Sequence, residues 1–313
     1  MTDRSELEAA LRGAFGDRVV RNAALAHLTT FKVGGPAEWL VTLQGADEIS
    51  RAVALARRAG LPLTVLGGGS NVLVSDGGVR GVVIRLRGGT VLRLASGRVR
   101  ADAALTINGL VRWTINRGIA GLEAWAGTPG TVGGAIRGNA HFQGRNIGEL
   151  VHLVTVVDSS GGVRDIPAAE MEFGYDFSRL QRTGEIVVSA DFHASDGDPA
   201  ALRAIARESL AFRKRTQPLE SASAGCIFQN PDPSRDRVPE GIPPSAGALV
   251  DRAGLKGRRE GRARVSLTHA NFIVNEGGAT AAEIRALIER CKRAVQERFG
   301  VQLREEIVYL GFE

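Results

Sequence analysis

Cysteine is scarce in this chain, aromatic side chains are few, and no long apolar run occurs. The two cysteines, Cys226 and Cys291, make neither a paired zinc-ligand spacing nor a disulfide framework, which points to a reducing compartment. The five histidines are His27, His141, His152, His193 and His269. No two stand at the spacing of a metal-binding helix, so no metal site is expected. Aromatics make up 5% of the residues, which leaves little surface for stacking single-stranded bases. No helix-turn-helix, zinc-finger or aromatic RNA-binding signature appears, and nucleic acid is not an expected partner. No apolar segment approaches the ~20 residues of a membrane span, so membrane insertion is not expected. The first residues, MTDRSELEAALRGAFG, carry acidic groups and read as an amphipathic helix rather than a signal peptide. Leu7, Leu11 and Phe15 form its apolar face, with Ser5 and Glu8 as a capping box. A cytoplasmic protein is the expectation.

Glycine is in excess: 40 of 313 residues, against an average near ~7%, gathered in short clusters. On a scale of about 100–200 residues per domain, the length implies two domains, or one large α/β unit with an addition. Apolar residues at 43% and charged residues at 24% are ordinary globular values, which sets disorder, collagen and coiled coil aside. The formal charge is +6. The basic residues are interspersed, densest at Arg213–Arg215 and from Lys256 to Arg264, and suit a solvated face or a pocket for a small anion.

Hydrophobic periodicity orders the chain. Residues 29–43 read as a turn and a strand, and residues 46–59 as a helix burying Ile49, Ala52, Val53 and Ala56, ended by Gly60. Short strands flank Gly67–Gly69, completing a first lobe over 22–88. Residues 90–103 read as a hairpin turning at Ser96-Gly97, 105–117 as a helix, and 121–138 as a glycine-rich loop. A second hairpin, VHLVTVVDSSGGVRDIP, and a strand, EIVVSADFHA, close a second lobe over 89–196. Beyond it come a helix over 199–214, a loop region over 217–244, and a helix over 281–299 with Thr280 and Glu283 as its capping box. Cys291 shares the apolar face of that helix and reads as core. Glu306 falls in a closing strand, VQLREEIVYLGF. The expected division is an N-terminal helix within 1–21, one domain over 22–196 and another over 197–313.

Gly67-Gly68-Gly69-Ser70-Asn71 follows the apolar strand 63–66. Glycines accept φ > 0 and carry no Cβ, so successive N–H groups in such a turn can converge on a phosphate. The same residues equally make a tight βαβ turn. No Gly-Lys-Ser/Thr follows, and Val72 stands where the third glycine of a Rossmann fingerprint would be. Gly127 to Ala135, extended by Gly138-Asn139, is a second such segment, and two of them point to a dinucleotide. Cys226 lies in a loop-rich stretch, where its thiol serves either as a proton donor or as a small inert side chain. Glu306 reads equally as a solvated strand carboxylate, and Tyr175 as a packing aromatic.

Seven segments occur in one order: TTFKVGGPAEWL, LGGGSNVLVSD, GLEAWAGTPGTVGGAIRGNA, AGCIFQNP, AGLKG, HANFIVN and the closing L-R-E-E-I. Together they resemble the UDP-N-acetylenolpyruvoylglucosamine reductase (MurB) family, in the shorter subclass that lacks a tyrosine-bearing insertion. The resemblance implies an α+β fold, with a two-lobed FAD-binding domain of the vanillyl-alcohol-oxidase or PCMH type, then a smaller α/β substrate-binding domain. It implies that NADPH reduces bound FAD and that the hydride passes to UDP-N-acetylglucosamine enolpyruvate, giving UDP-N-acetylmuramate for peptidoglycan. The enolate-like α-carbon must then be protonated and its charge stabilised. Position by position, Gly67, Gly68, Gly69, Ser70 and Asn71 match the segment at the FAD diphosphate. Thr128, Pro129, Gly130, Gly133, Gly134, Ala135 and Asn139 match a second FAD segment. Glu306 matches the residue that polarises the enolpyruvyl carboxylate, and Asn230 and Tyr175 match substrate contacts. A UDP-sugar is the implied partner, and a monomer the expected state.

Two departures from the family pattern stand out. Cys226 takes the place of the family's serine proton donor; a thiol is the stronger acid, and also oxidisable. The family's Tyr-Arg-x-Ser reads Tyr175-Asp176-Phe177-Ser178, so an aspartate replaces the arginine that faces the substrate carboxylate. Arg179, with Arg137 as the alternative, is the expected replacement cation, and Arg215 and Lys256 are expected at the UDP diphosphate. Two rivals remain: a flavin oxidase of similar fold, against which AGCIFQNP and HANFIVN argue, and an inactive FAD- or nucleotide-binding module, for which Asp176 is the best ground.

Overall fold

The computed structural model describes residues 4–312, so the first three residues of the expected N-terminal helix lie outside the described range. The chain forms two compact units that interleave in sequence: Met1–Ala23, Ala37–Gly68 and Arg80–Ala211 make the first, and Ala24–Pro36, Gly69–Val79 and Phe212–Glu313 the second. The contiguous ranges 22–196 and 197–313 do not describe this division. The reason is strand pairing within the second unit, where Val72–Val74 lies parallel to Val308–Leu310. The 69–79 segment therefore belongs with the C-terminal part of the chain. Among the described residues no helix is long and apolar enough to cross a membrane.

The first unit opens with α1 (Arg4–Phe15), which buries Leu7, Leu11 and Phe15. Ser5 lies inside this helix, and Glu8 is engaged by Arg12, Arg21 and the Trp39 indole. Next comes α2 (Gly45–Arg58), which buries Ile49, Ala52, Val53 and Ala56 as the periodicity requires. Acidic Asp47 and Glu48 in its first turn, and Arg57 and Arg58 in its last, oppose the helix dipole. Both helices share a core with Trp39, Val41, Val82 and Ile84. Those residues belong to a four-stranded sheet of order Val19–Ala24, Pro36–Leu43, Val79–Leu86, Leu63–Val65. Its last two strands are parallel, with Leu63 opposite Val82. A five-stranded antiparallel sheet follows, of order Val163–Pro167, Val151–Val157, Ile186–Phe192, Val99–Asp102, Val91–Arg93.

Against that second sheet pack α3 (Ile107–Asn116) and α4 (Val132–Gly138). Each begins at a threonine: Thr106 Oγ1 accepts from Gly109 N at 3.0 Å, and Thr131 Oγ1 from Gly134 N at 3.3 Å. Such a cap contributes about 1 kcal/mol. The glycine-rich stretch 121–138, expected as a loop, is therefore helical over its second half. Gly133 and Gly134 disfavour a helix by roughly 1 kcal/mol each. The Thr131 cap and burial of Val132, Ala135 and Ile136 outweigh that, since a fully buried aliphatic side chain contributes roughly 1.5–3 kcal/mol. Asn139 ends the helix in the left-handed region, at φ 45°. A short α5 (Leu180–Thr183) follows, then α6 (Pro199–Thr216), within which the chain passes from one unit to the other.

The second unit contains α7 (Ala246–Arg252) and α8 (Ala281–Phe299), with a three-stranded antiparallel sheet of Arg259–Glu260, Ala263–Val265 and Ile273–Asn275. The α8 capping box of Thr280 and Glu283 is present, and Gly300 closes the helix at φ 69°. Asp76 adds a second cap, accepting from Ala281 N at 2.8 Å and Ala282 N at 3.0 Å. Cys291 sits in the core with Leu249, Val250, Leu287 and Val295. The closing strand is confined to Val308–Leu310. Glu306 precedes it, because residues 304–306 hydrogen-bond to 227–229 instead.

Candidate active site

In the first unit the two glycine segments lie directly against one another. A Cβ on Gly68 would stand 2.7 Å from Gly130 Cα, and one on Gly67 would stand 2.9 Å from Thr131 Oγ1. Gly133 N donates to Ala103 O at 3.0 Å, and Ile107 N to Gly130 O at 3.1 Å, which holds the second segment on the sheet and on α3. Asn108 of α3 steadies its start: Oδ1 accepts from Gly127 N at 2.6 Å, and Nδ2 donates to Thr128 O at 3.2 Å. Thr128 and Ala135 are buried, Pro129 and Gly134 exposed. This is a cradle of backbone from which side chains are excluded, and it fits a dinucleotide's need for close main-chain approach. Gly67, Gly68, Gly130 and Gly133 are the residues here that could hold FAD.

Asn139 carries the arrangement from α4 to the 173–178 turn. It is 2% exposed; its Oδ1 accepts from Gly148 N at 2.9 Å, and its Nδ2 donates to Gly174 O at 2.7 Å. Its side chain is thus committed to positioning that turn. Ser178 Oγ donates to Arg137 O at 2.7 Å, and Gln181 Nε2 donates to Arg137 O and Asp176 O. Tyr175, 46% exposed, stacks its ring 4.9 Å from that of His141. His141 Nδ1 in turn meets Asp176 Oδ1 at 2.9 Å. Asp176, Asn139, Gln143 and Glu172 all have positive φ, a concentration of backbone strain typical of functional loops.

The two cations named for this neighbourhood differ. Arg179 pairs with Glu185 at 3.2 Å, where Arg164 also binds, and the Glu185 side chain is 2% exposed. Although burial opposes ionisation of Glu185, Thr183 and the two arginines hold its carboxyl below the ordinary value. Arg179 is therefore committed to a structural carboxylate. No carboxylate pairs with Arg137 among the described residues, and desolvation pulls its guanidinium below the ordinary arginine value.

The rest of the first glycine segment belongs to the second unit. Gly69 has φ +66°, and a Cβ there would collide with Leu28 O; Gly69 O accepts from both Thr30 N and Thr30 Oγ1. Ser70 is half-buried. Asn71 Nδ2 donates to Glu306 O at 3.1 Å, and Glu306 N to Ile227 O at 2.8 Å. An isolated antiparallel bridge joins Phe228 to Glu305. These bonds bring the Cys226 segment and Glu306, distant in sequence, onto neighbouring backbone. Cys226 is partly exposed. Arg213, 5% exposed, lies near enough for the two groups to interact electrostatically; burial lowers its guanidinium to about 10, and Cys226 opposes that shift. Asn230 is exposed, with Oδ1 accepting from Ala246 N at 3.1 Å. Arg215 is exposed on α6, and Lys256 reaches Asp251 at 3.3 Å.

Residues 37–166 match the family model described as FAD binding domain, and residues 217–310 match UDP-N-acetylenolpyruvoylglucosamine reductase, C-terminal domain. The UDP-N-acetylenolpyruvoylglucosamine reductase of Heliobacterium modesticaldum is 39% identical over 298 residues, covering 95% of this chain and 92% of that one. The chain belongs to the UDP-N-acetylenolpyruvoylglucosamine reductase family. A Paracoccus denitrificans reductase is 42% identical over 294 residues, covering 93% of this chain and 95% of its own length. The crystal structure of the Thermus caldophilus reductase superposes with a TM-score of 0.77 at 35% identity, covering 93% of this chain and 98% of that one. The α+β class and the order of an FAD-binding domain before a family-specific C-terminal domain stand as expected.

Within this reductase family, three residues of the chain were not singled out from the sequence. Asn108 and Asn271 act by bonds to distant backbone, which spacing does not reveal. His141 was visible two residues beyond Asn139, but its partner Asp176 is far along the chain.

Proposed function

We propose that this chain reduces UDP-N-acetylglucosamine enolpyruvate to UDP-N-acetylmuramate with NADPH as hydride donor, in peptidoglycan precursor synthesis. The observation that carries the reading is the hydrogen-bonded junction of residues 227–229 with 304–306, which sets Cys226 beside Glu306. Bound FAD would supply the relay of a hydride from NADPH to the enolpyruvyl β-carbon. Gly67, Gly68, Gly130 and Gly133, with Gly69, Ser70 and Asn71, hold that cofactor by main-chain approach. Cys226 releases its thiol proton to the substrate α-carbon. Arg213, a buried cation near the sulfur, compensates the thiolate left behind. Glu306, its backbone held by Ile227 and Asn71, helps polarise the substrate carboxylate. Asn230 and Tyr175 contact the substrate, and exposed Arg215 and Lys256 meet the diphosphate. The reading places the enzyme in the cytoplasm as a monomer, which light scattering at the mass of one chain tests.

Anaerobic mixing tests the activity. NADPH should bleach the visible absorbance of bound flavin, and the enolpyruvyl substrate should restore it with formation of UDP-N-acetylmuramate. Bleaching without substrate-dependent recovery rejects the reading. An inactive nucleotide module would be favoured by a bare anion at position 176, but Asp176 is paired with His141.

A further inference from the structure

Asn271 ties down the residues that follow Cys226 with three hydrogen bonds. Its carbonyl accepts from Ile227 N at 2.8 Å, its Oδ1 accepts from Phe228 N at 2.9 Å, and its Nδ2 donates to Phe228 O at 2.8 Å. Asn271 is in turn fixed by a histidine two residues earlier: its N–H donates to His269 Nδ1 at 3.2 Å. Both lie in the turn between the paired strands Ala263–Val265 and Ile273–Asn275. Asn271 is 3% exposed, so its N–H needs an acceptor within the fold.

The imidazole is wedged in place. A Cβ on Gly247 of α7 would stand 3.0 Å from its Cε1, and the Phe272 ring lies 5.1 Å away in a T-shaped contact. Among the described residues Lys256 is the charge that acts on the ring, and Lys256 pairs with Asp251 of α7 at 3.3 Å. The other neighbours, Gly247, Ser266 and Phe272, carry no charge. Burial, and then Lys256, lower the imidazole below the ordinary histidine value. Neutral, Nδ1 offers a lone pair to Asn271; protonated, it becomes a second donor facing the Asn271 N–H.

Resting on the proposed activity, we infer that His269 is a positioning residue for proton delivery: as a neutral acceptor it fixes Asn271, and through Asn271 the segment that carries Cys226. Acid releases this clamp. Delivery of the Cys226 proton to the substrate depends on the clamp, whereas hydride supply from NADPH does not.

Stopped-flow mixing of the FAD-loaded, NADPH-reduced enzyme with UDP-N-acetylglucosamine enolpyruvate tests this across about pH 5 to 8, where histidine titrates. The wild-type reoxidation rate should hold near neutrality and fall on the acid side of 6.5, by up to about tenfold per pH unit. His269→Asn keeps a side-chain oxygen for the N–H two residues on, as in an Asx turn, and does not titrate. It should restore the neutral rate to within about threefold and lose the acid limb. His269→Ala removes the acceptor and should be about tenfold slower at every pH. Flavin reduction by NADPH should match wild type in both variants. Amide hydrogen exchange gives a readout without turnover: protection of the Phe228 N–H should fall in acid in the wild type and stay level in His269→Asn. An acid limb that survives in His269→Asn overturns the inference, as does a wild-type rate or wild-type Phe228 protection in His269→Ala. Equal losses in the two half-reactions also overturn it, since the turn would then serve folding alone. A wild type that the substrate reoxidises at no pH would instead overturn the proposed activity.

Discussion

Asn271 holds the Phe228 peptide with both of its side-chain atoms: Oδ1 accepts from Phe228 N at 2.9 Å, and Nδ2 donates to Phe228 O at 2.8 Å. Both residues are buried, and the grip lies two residues beyond Cys226. Asn271→Ala strands a buried N–H and a buried C=O together, and each such group costs about 1–3 kcal/mol. Urea unfolding should show a loss on the order of 2–4 kcal/mol. A midpoint equal to wild type would mean that water replaces the amide without cost.

Cys226 separates proton delivery from hydride supply. Cys226→Ser keeps an acidic hydrogen at the same place on the 226–229 segment, and Cys226→Ala removes it. Substrate-dependent reoxidation of the reduced flavin should survive in the serine variant and fall by about 10²–10⁴ in the alanine variant. Flavin reduction by NADPH should be unchanged in both. Normal solvent-proton incorporation by Cys226→Ala would exclude the thiol as donor.

The parts of this molecule that were legible in its sequence are those governed by local periodicity and chain punctuation. The α2 face, the α8 capping box and the 151–167 hairpin follow from residues within one or two turns of each other. The second glycine segment misled, because glycine content argues for loop, while the helix there depends on the Thr131 cap and on burial of Val132 and Ile136. The interleaved units were hidden for a related reason: the pairing of Val72 with Val308 is a long-range event that no local pattern encodes. At the site, glycines and the Cys226 loop could be named from the order of the segments. The fate of Arg179 could not, since its partner Glu185 looks like a solvated carboxylate until the fold buries it.

Gly68 and Gly138 form a matched pair for testing the cofactor cradle. A Cβ on Gly68 would press on the Gly130 backbone at 2.7 Å, whereas one on Gly138 meets nothing within 4 Å. Gly68→Ala must push the two glycine segments apart, and should lose bound FAD on gel filtration. Gly138→Ala should keep its flavin, and gains helix propensity of roughly 1 kcal/mol near the end of α4. Full flavin retention in Gly68→Ala would remove this contact from the cofactor site.

Arg179→Ala is expected to act on stability rather than on ligand recognition. Its loss leaves Glu185, whose side chain is 2% exposed, to Arg164 and Thr183. Removing one partner of a buried pair costs about 3–5 kcal/mol; Arg164 remains, so the expected loss is about 1–3 kcal/mol, the cost of an incompletely satisfied buried group. Affinity for UDP-N-acetylmuramate, measured well below the melting transition, should stay within about threefold of wild type, less than the tenfold of a single lost charged contact. A large affinity loss with normal stability would return Arg179 to the substrate.

Cys291 makes the fold sensitive to alkali. Burial is the main cause that pushes its thiol from 9.0 up to about 12, with nearby Arg290 opposing. The folded state therefore keeps a proton that the unfolded chain gives up. The contribution to stability is complete below about pH 9 and declines as pH rises from about 9 to 12, by about 1.4 kcal/mol per pH unit. Tyr309, also raised by burial, titrates equally in a Cys291→Ser variant, so comparing the two proteins isolates the thiol. The serine variant should start less stable at neutral pH, since it buries a hydroxyl in an apolar face. It should then lose less stability than wild type between about pH 9 and 11, as the window above requires. Parallel urea-midpoint curves for the two proteins across that range would show that Cys291 does not titrate with unfolding.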